Sequence, residues 1–167
     1  MQKLKSWLTP THKSKNLNIV DIVVLELSSP ILIGVYENQE LIETFSSDEY
    51  TSEALPLLFQ DILSKYEIEN IIYTQGPGSF MAIKVAYIFL RSLCIINDIK
   101  LLATPAFTFN NNGPIKAFGK LYFMNDNGTI TTKKFDEPQN VLFELPKKIN
   151  LSDYSKETAP LYVLPAV

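Results

Sequence analysis

From Phe80 to Ile96 the only clearly polar side chains are Lys84, Arg91 and Ser92. This segment constrains the fold more than any other. It follows Gly76-Pro77-Gly78, a chain-turning combination, and Ser79, a residue type that caps helices. The pattern predicts a helix from Phe80 to about Ile95. At about 100° per residue, Ala82, Ala86, Phe89 and Leu93 form one stripe, flanked by Ile83, Leu90 and Cys94. Met81, Val85, Ile88 and Ser92 fall on the other side, with Lys84 and Arg91 at the far edge. A helix lying on one sheet needs one apolar face; this one has nearly two. It reads as too short and too charged to cross a membrane, so no spanning helix is expected. The surplus face is either covered by the first helix and the C-terminal segment, or it meets another chain.

That helix belongs to a chain of 167 residues, 46% hydrophobic and 20% charged, which is too apolar for a disordered protein. The length suits one domain, or one domain with a small appendage. Three strand-like segments come first: Ile19 to Leu27, Ile31 to Glu37 and Leu41 to Phe45. Ser28-Ser29-Pro30 and Asn38-Gln39 are turns short enough to make these neighbours antiparallel. A helix over Thr51 to Tyr66 follows, capped by Thr51 or Ser52, with Glu53 and Pro56 in its opening turns. Its apolar stripe is Ala54, Leu55, Leu58, Phe59, Ile62, Leu63 and Tyr66. Short strands are expected at Ile71 to Thr74 and Lys100 to Ala103.

The order strand, strand, strand, helix, strand, helix, strand is an α/β arrangement. With right-handed crossovers it is the ribonuclease-H-like half of the actin-like (ASKHA) folds, a mixed five-stranded sheet with helices beside it. Fold alone does not assign a function. Beyond Pro105, Asn127-Gly128 marks a hairpin between Leu121 to Met124 and Thr129 to Phe135. Val141 to Leu145 and Leu161 to Leu164 read as further strands, and Lys147 to Thr158 as loop. The chain thus divides into a basic extension (1–18), an actin-like domain (19–105) and a truncated second domain (106–167).

The formal net charge is −3, unevenly placed. Residues 1–18 hold Lys3, Lys5, Lys13 and Lys15 and no acid; the rest carries eleven basic and eighteen acidic residues, a net of −7. A body that acidic is a poor independent binder of nucleic acid. The leader reads as a solvated extension more readily than as an RNA contact. One cysteine, Cys94, permits no internal disulfide and suits a reducing, cytoplasmic setting; one histidine, His12, removes His-rich metal sites. The N-terminus lacks the apolar run of a signal peptide.

Chemistry of its own is not expected. Gly76-Pro77-Gly78-Ser79-Phe80 can be read as a phosphate loop at a helix start. No Lys-Ser or Lys-Thr pair follows it, and the dinucleotide glycine spacing is missing; the plainer reading is a tight turn that sets the helix angle. A kinase-type site would want a carboxylate after the first strand and then a glycine-rich hairpin. The chain offers Glu26 and then Ser28-Ser29-Pro30. Asp21 and Glu26 are five apart and fall on opposite sides of a strand, so each is expected to be a satisfied or solvated charge. Ser79 has no neighbouring histidine, and Cys94 reads as a small core residue. No catalytic residue, metal or cofactor is expected.

The same residues carry a family resemblance. Gly76-Pro77-Gly78-Ser79-Phe80-Met81-Ala82-Ile83-Lys84 resembles the Gly-Pro-Gly-Ser-Phe-Thr-Gly-Leu-Arg pattern of the TsaB (YeaZ) family. Thr51-Ser52-Glu53 with Leu55-Pro56 is similar to its His-Ser-Glu and Leu-Pro helix start, and Glu26-Leu27-Ser28 stands where it has Asp-Thr-Ser. Pro160-Leu161-Tyr162-Val163-Leu164 resembles its terminal Pro-x-Tyr-Leu-Arg. The match covers Ile19 to about Pro105. It departs at Ala82 and Lys84, in a second domain shorter than the family's, and in a leader with no counterpart.

The resemblance implies a non-catalytic subunit of the actin-like superfamily that has lost the ATP site. Such proteins pair with TsaD, a homologous catalytic subunit, and with TsaE, an ATPase, to support threonylcarbamoylation of an anticodon-loop adenosine of tRNA. Pairing through the two helices would use Ser52, Leu55, Phe59, Met81, Lys84, Val85 and Ile88, with a homodimer possible in isolation and tRNA reached only through the complex. The alternatives are a small nucleotide-dependent enzyme and a self-associating domain with no role in tRNA modification.

Overall fold

The computed structural model describes residues 16–163. Most of the basic leader, and Leu164 of the terminal strand expectation, lie outside the described residues. Three strands open the fold: β1 (Asn18–Leu25), β2 (Ile31–Glu37) and β3 (Glu40–Ser47). Helix α1 (Thr51–Lys65), strand β4 (Tyr66–Thr74), helix α2 (Phe80–Asn97) and strand β5 (Lys100–Thr104) follow. They build one sheet in the order β3-β2-β1-β4-β5. β1 pairs antiparallel with β2 and parallel with β4, and β4 pairs parallel with β5. The mixed five-stranded sheet expected from the element order is therefore present.

Local chemistry explains the pairing. Asn38 and Gln39 both have positive φ, which gives the β2–β3 hairpin a two-residue turn matched to strand twist. β1 is buried on both faces from Val20 onward, as a strand between two layers must be. β4 is longer than its apolar sequence suggested. Its first residues, Tyr66 to Glu69, are amphipathic, yet Tyr66 and Glu67 pair with Asn18 and Ile19. α1 begins where expected, but neither Thr51 nor Ser52 caps it. Tyr50 is the cap residue, and its carbonyl accepts from the N–H groups of Glu53 and Ala54 at 2.9 and 2.8 Å.

The two sheet faces are buried differently. On one, α1 and α2 enclose Val20, Ile22, Val24, Ile33, Ile71 and Ala103 with Phe59, Ile62, Leu90 and Leu93. On the other, Val23, Leu25, Tyr36, Ile72 and Leu102 meet Phe107, Phe109, Ile115, Phe123, Phe143 and Ile149 from the C-terminal third. The buried residues expected to form a second domain thus share a core with the first sheet. That region carries a three-stranded sheet of β6 (Ile115–Phe118), β7 (Leu121–Asp126) and β8 (Thr129–Lys134), closed by Asn127-Gly128 with positive φ at both residues. β6 went unread because Gly113-Pro114 before it and Gly119 after it hide a four-residue strand.

Val141 to Leu145 is not a strand, nor are the described residues Leu161 to Val163. Neither has a strand ladder. Single bonds hold them instead: the Glu144 N–H donates to the Phe109 carbonyl at 2.8 Å, and the Leu161 N–H to the Gln75 carbonyl at 2.7 Å. The stretch 147–158, expected as loop, contains a short 3-10 turn (Leu151–Asp153), and its Ser155 exchanges two backbone bonds with Ala103 at the β5 edge.

By length and composition α2 would pass as a membrane-crossing helix, contrary to expectation. Ile83, Ala86, Leu90, Leu93 and Cys94 lie buried beneath it, so its apolarity serves a core on one side. Leu55 and Phe59, expected at a partner interface, are fully buried, and the Phe59 ring lies 5.7 Å from that of Phe89. They face the sheet because the α1 stripe is one helical face, and that face is used internally. Phe59→Ala should therefore lower stability by about 3–5 kcal/mol, whereas Leu57→Ala, on the exposed side, should change it by less than about 0.5 kcal/mol. Urea denaturation of both variants checks this; equal midpoints would refute the assignment.

Candidate functional site

Two features of α2 remain once its core side is subtracted. The first is its outer surface. Met81, Ile88 and Ile95 are 62%, 56% and 68% exposed. They are seven residues apart, so they align almost along the helix axis over about 21 Å. Lys84 and Arg91, also exposed and seven apart, run beside them; the Lys84 ammonium sits 5.9 Å from the centre of the Phe80 ring. Val85 is half-buried and Ser52 exposed. Of the seven expected interface residues, Ser52, Met81, Lys84 and Ile88 are at the surface, Val85 is at its margin, and Leu55 and Phe59 are inside. Sequence reasoning missed Leu57, Arg91 and Ile95. The repeat of seven from Met81 through Ile88 would have found Ile95. The C-terminal segment does not cover this line among the described residues. It meets the start of α2, where the Tyr162 ring lies 4.6 Å from that of Phe80.

The second feature is the motif loop at the start of α2. Gly76 has φ +118°, open to glycine and strained for other residues. A Cβ there would lie 2.7 Å from the Leu161 carbonyl oxygen, and one on Gly78 would lie 2.8 Å from Leu27 Cδ1. Pro77 is buried beside them. Ser79 caps the helix as expected, its Oγ accepting from the Ala82 N–H at 3.4 Å. Each glycine is thus accounted for by close packing, which favours the tight-turn reading of the loop.

Beside this loop is a cleft of about 250 Å³, lined by Glu26, Leu27, Ser29, Gly78, Ser79, Ala82, Ile115, Lys116, Val141 and Phe143. It joins the end of β1, the start of α2 and strand β6. Two larger hollows, of about 410 and 530 Å³, lie by Glu69 and Asp98 and by Asn110, away from the motif loop. Glu26 departs from expectation. It is neither solvated nor fully satisfied: it is 3% exposed, and its Oε2 has no hydrogen-bond partner. Oε1 accepts from both the backbone N–H and the hydroxyl of Thr74. Burial pushes its carboxyl up to about 8 against the Thr74 bonds that oppose this. Asp21 is buried too, and burial raises its carboxyl, but Asn70 Nδ2 donates to it at 2.7 Å. Burial pushes the Cys94 thiol up to about 12, which removes it as a nucleophile at neutral pH. Among the described residues no group of three His, Cys, Asp or Glu side chains is placed to hold a metal ion.

No protein-family model matches the sequence, and no curated protein matches it. Solved structures do. An uncharacterized protein with similarity to peptidase YEAZ from Pseudomonas aeruginosa superposes with a TM-score of 0.51 at 12% identity, over 70% of this chain and 64% of that one. YeaZ from Pseudomonas aeruginosa gives 0.50 at 11% identity over the same shares. The fold is YeaZ-like, and the chain spans less than two thirds of the length of these neighbours.

Two outcomes follow. Gly76→Ala forces a strained φ and a clash with the Leu161 backbone, and should cost about 1–3 kcal/mol, read as a lowered melting temperature. Glu26 holds a proton in the fold that the unfolded chain releases above its ordinary value of 4.5. Its contribution is complete below pH 4.5 and is lost as pH rises toward 8, at up to about 1.4 kcal/mol per pH unit. Denaturation midpoints from pH 5 to 9 should fall for the wild type and flatten for Glu26→Gln. Parallel profiles would contradict the buried-acid reading.

Proposed function

We propose that this protein is a non-catalytic scaffold subunit of the TsaB (YeaZ) kind, acting in the cytoplasm. It docks a TsaD homologue through the outer surface of α2 and, with TsaE, supports threonylcarbamoylation of an anticodon-loop adenosine of tRNA. The observation that carries the reading is the line of Met81, Ile88 and Ile95, flanked by Lys84 and Arg91, on a helix whose other side is already in the core. Large apolar side chains aligned at the surface mark interaction sites rather than monomer surface. The YeaZ-like fold and the Gly76-Pro77-Gly78-Ser79-Phe80 motif supply the partner. The basic pair adds orientation, since rim charges steer and register an encounter more than they tighten it.

The proposed contact has Ser52 at its edge and Val85 half-buried beneath it. In this reading tRNA is reached through the assembled complex, and two copies of the chain pair by the same surface when the partner is absent. Ile88→Glu tests it, because a carboxylate there would be buried unpaired in the complex while the monomer keeps it in water. The variant should fold as the wild type does by circular dichroism and bind the TsaD homologue of the same organism at least about 100-fold more weakly. Co-elution of the variant with that homologue at wild-type affinity would overturn the assignment, as would failure of the wild type to bind it.

A further inference from the structure

The acidity of the chain beyond its leader is an average, and one element departs from it. Residues 115–135, which span β6, β7 and β8, carry Lys116, Lys120, Lys133 and Lys134 against a single acid, Asp126. The rest of the chain after residue 18 then holds seven basic and seventeen acidic residues. The small sheet is therefore +3 and its surroundings are −10.

The strand register gathers these charges at one end. Lys116 and Lys133 flank Tyr122 across the sheet, and in the next row Phe118 and Lys134 flank Leu121. Two strand spacings, about 10 Å, separate the members of each outer pair. Lys120 belongs to the same end, because its carbonyl accepts from the Phe135 N–H at 3.0 Å. Asp126 is at the far end of the hairpin, opposite Thr129. All four lysines are exposed, and among the described residues none of their ammonium groups is in an ion pair. The next acids along the chain, Asp136 and Glu137, therefore pair with none of them. Lys65 and Lys148, by contrast, are both paired with carboxylates.

Aromatic side chains are interleaved with the lysines. Phe118 is 69% exposed. The Lys133 ammonium lies 5.0 Å from the centre of the Phe135 ring, which stands edge-on to Tyr122 at 5.4 Å. Unpaired cations beside an open aromatic face suit a strand that offers phosphates and stacked bases. A membrane plane fits worse. It would bring anionic headgroups against the acidic surroundings as well, whereas a single strand can follow a band about 10 Å wide.

We propose that the Leu121 end of the β6-β7-β8 sheet binds a single-stranded segment of RNA, with Lys116, Lys120, Lys133 and Lys134 on phosphates and Phe118 stacked on a base. The contact is to backbone and base face, so it carries little sequence preference. Its charge argument is independent of the α2 docking surface; only the choice of RNA over DNA rests on the proposed function.

Fluorescence anisotropy with a labelled twelve-nucleotide oligouridylate tests this on the full chain. The parent for the measurement carries Lys3→Gln, Lys5→Gln, Lys13→Gln and Lys15→Gln, so that the leader adds no charge. At about 50 mM salt its Kd should be below about 100 μM. The logarithm of its association constant should fall against that of salt concentration with a slope of about −2 to −3 as three or four phosphates are neutralised. Adding Lys133→Gln and Lys134→Gln should weaken binding at least about tenfold and reduce that slope by about 1.4. Phe118→Ala should weaken it at least about fivefold and leave the slope unchanged, since it removes stacking and no charge. Absence of binding by the parent, or parental affinity in either variant, overturns the proposal. So does capture by phosphatidylserine vesicles without RNA binding, which would make the surface a membrane contact. Ile88→Glu should leave RNA binding unchanged, so failure here and failure of the docking surface are read separately.

Discussion

Strand β1 is the member on which the rest of the molecule depends. It is central in the sheet, and its alternate residues feed two separate apolar layers: Val20, Ile22 and Val24 under the helices, Val23 and Leu25 under the C-terminal third. A strand buried on both sides cannot tolerate a slip of one residue without exchanging those layers. Its end therefore delivers Glu26 to one place, beside Thr74 at the end of the parallel neighbour. The helices inherit their positions from the same strand, because β4 and β5 stack outward from it and the crossovers span that spacing.

Much of this was legible because its signals are local. Asn38-Gln39 and Asn127-Gly128 each define a two-residue turn, and Ser79 after Gly-Pro-Gly defines a helix start. The sidedness of α2 was legible as well: the side assigned to Met81 and Ile88 is the exposed one. What failed depended on contacts distant in sequence. Leu55 and Phe59 form a convincing stripe in any helical projection, but a projection cannot say whether a stripe meets its own sheet or a partner. Phe89 and the sheet settle that for Phe59.

Glu26 was misread for a related reason. In the sequence it follows four apolar residues and precedes Leu27 and two serines, which suits a charge at a strand end. Its hydrogen-bond partner, Thr74, lies at the end of β4, 48 residues along the chain. The C-terminal third was the least legible region. Much of its chain is irregular and held to the sheet by single side-chain bonds, such as Tyr36 Oη to the Pro146 carbonyl at 2.7 Å and Tyr73 Oη to the Thr158 carbonyl. Such pieces have no periodicity to detect, since neither a ladder nor a helix repeats in them.

The position of Cys94 has a practical consequence. It is the chain's lone thiol, 3% exposed, on the side of α2 that lies against the sheet. A thiol reagent can reach it only when that helix lifts away or the whole domain opens. The modification rate therefore serves as a built-in gauge of how often the helix detaches, with no label added and no residue replaced. Clamping the outer surface of the same helix with any binder would slow that clock, so a chemistry confined to the interior would report an event on the exterior.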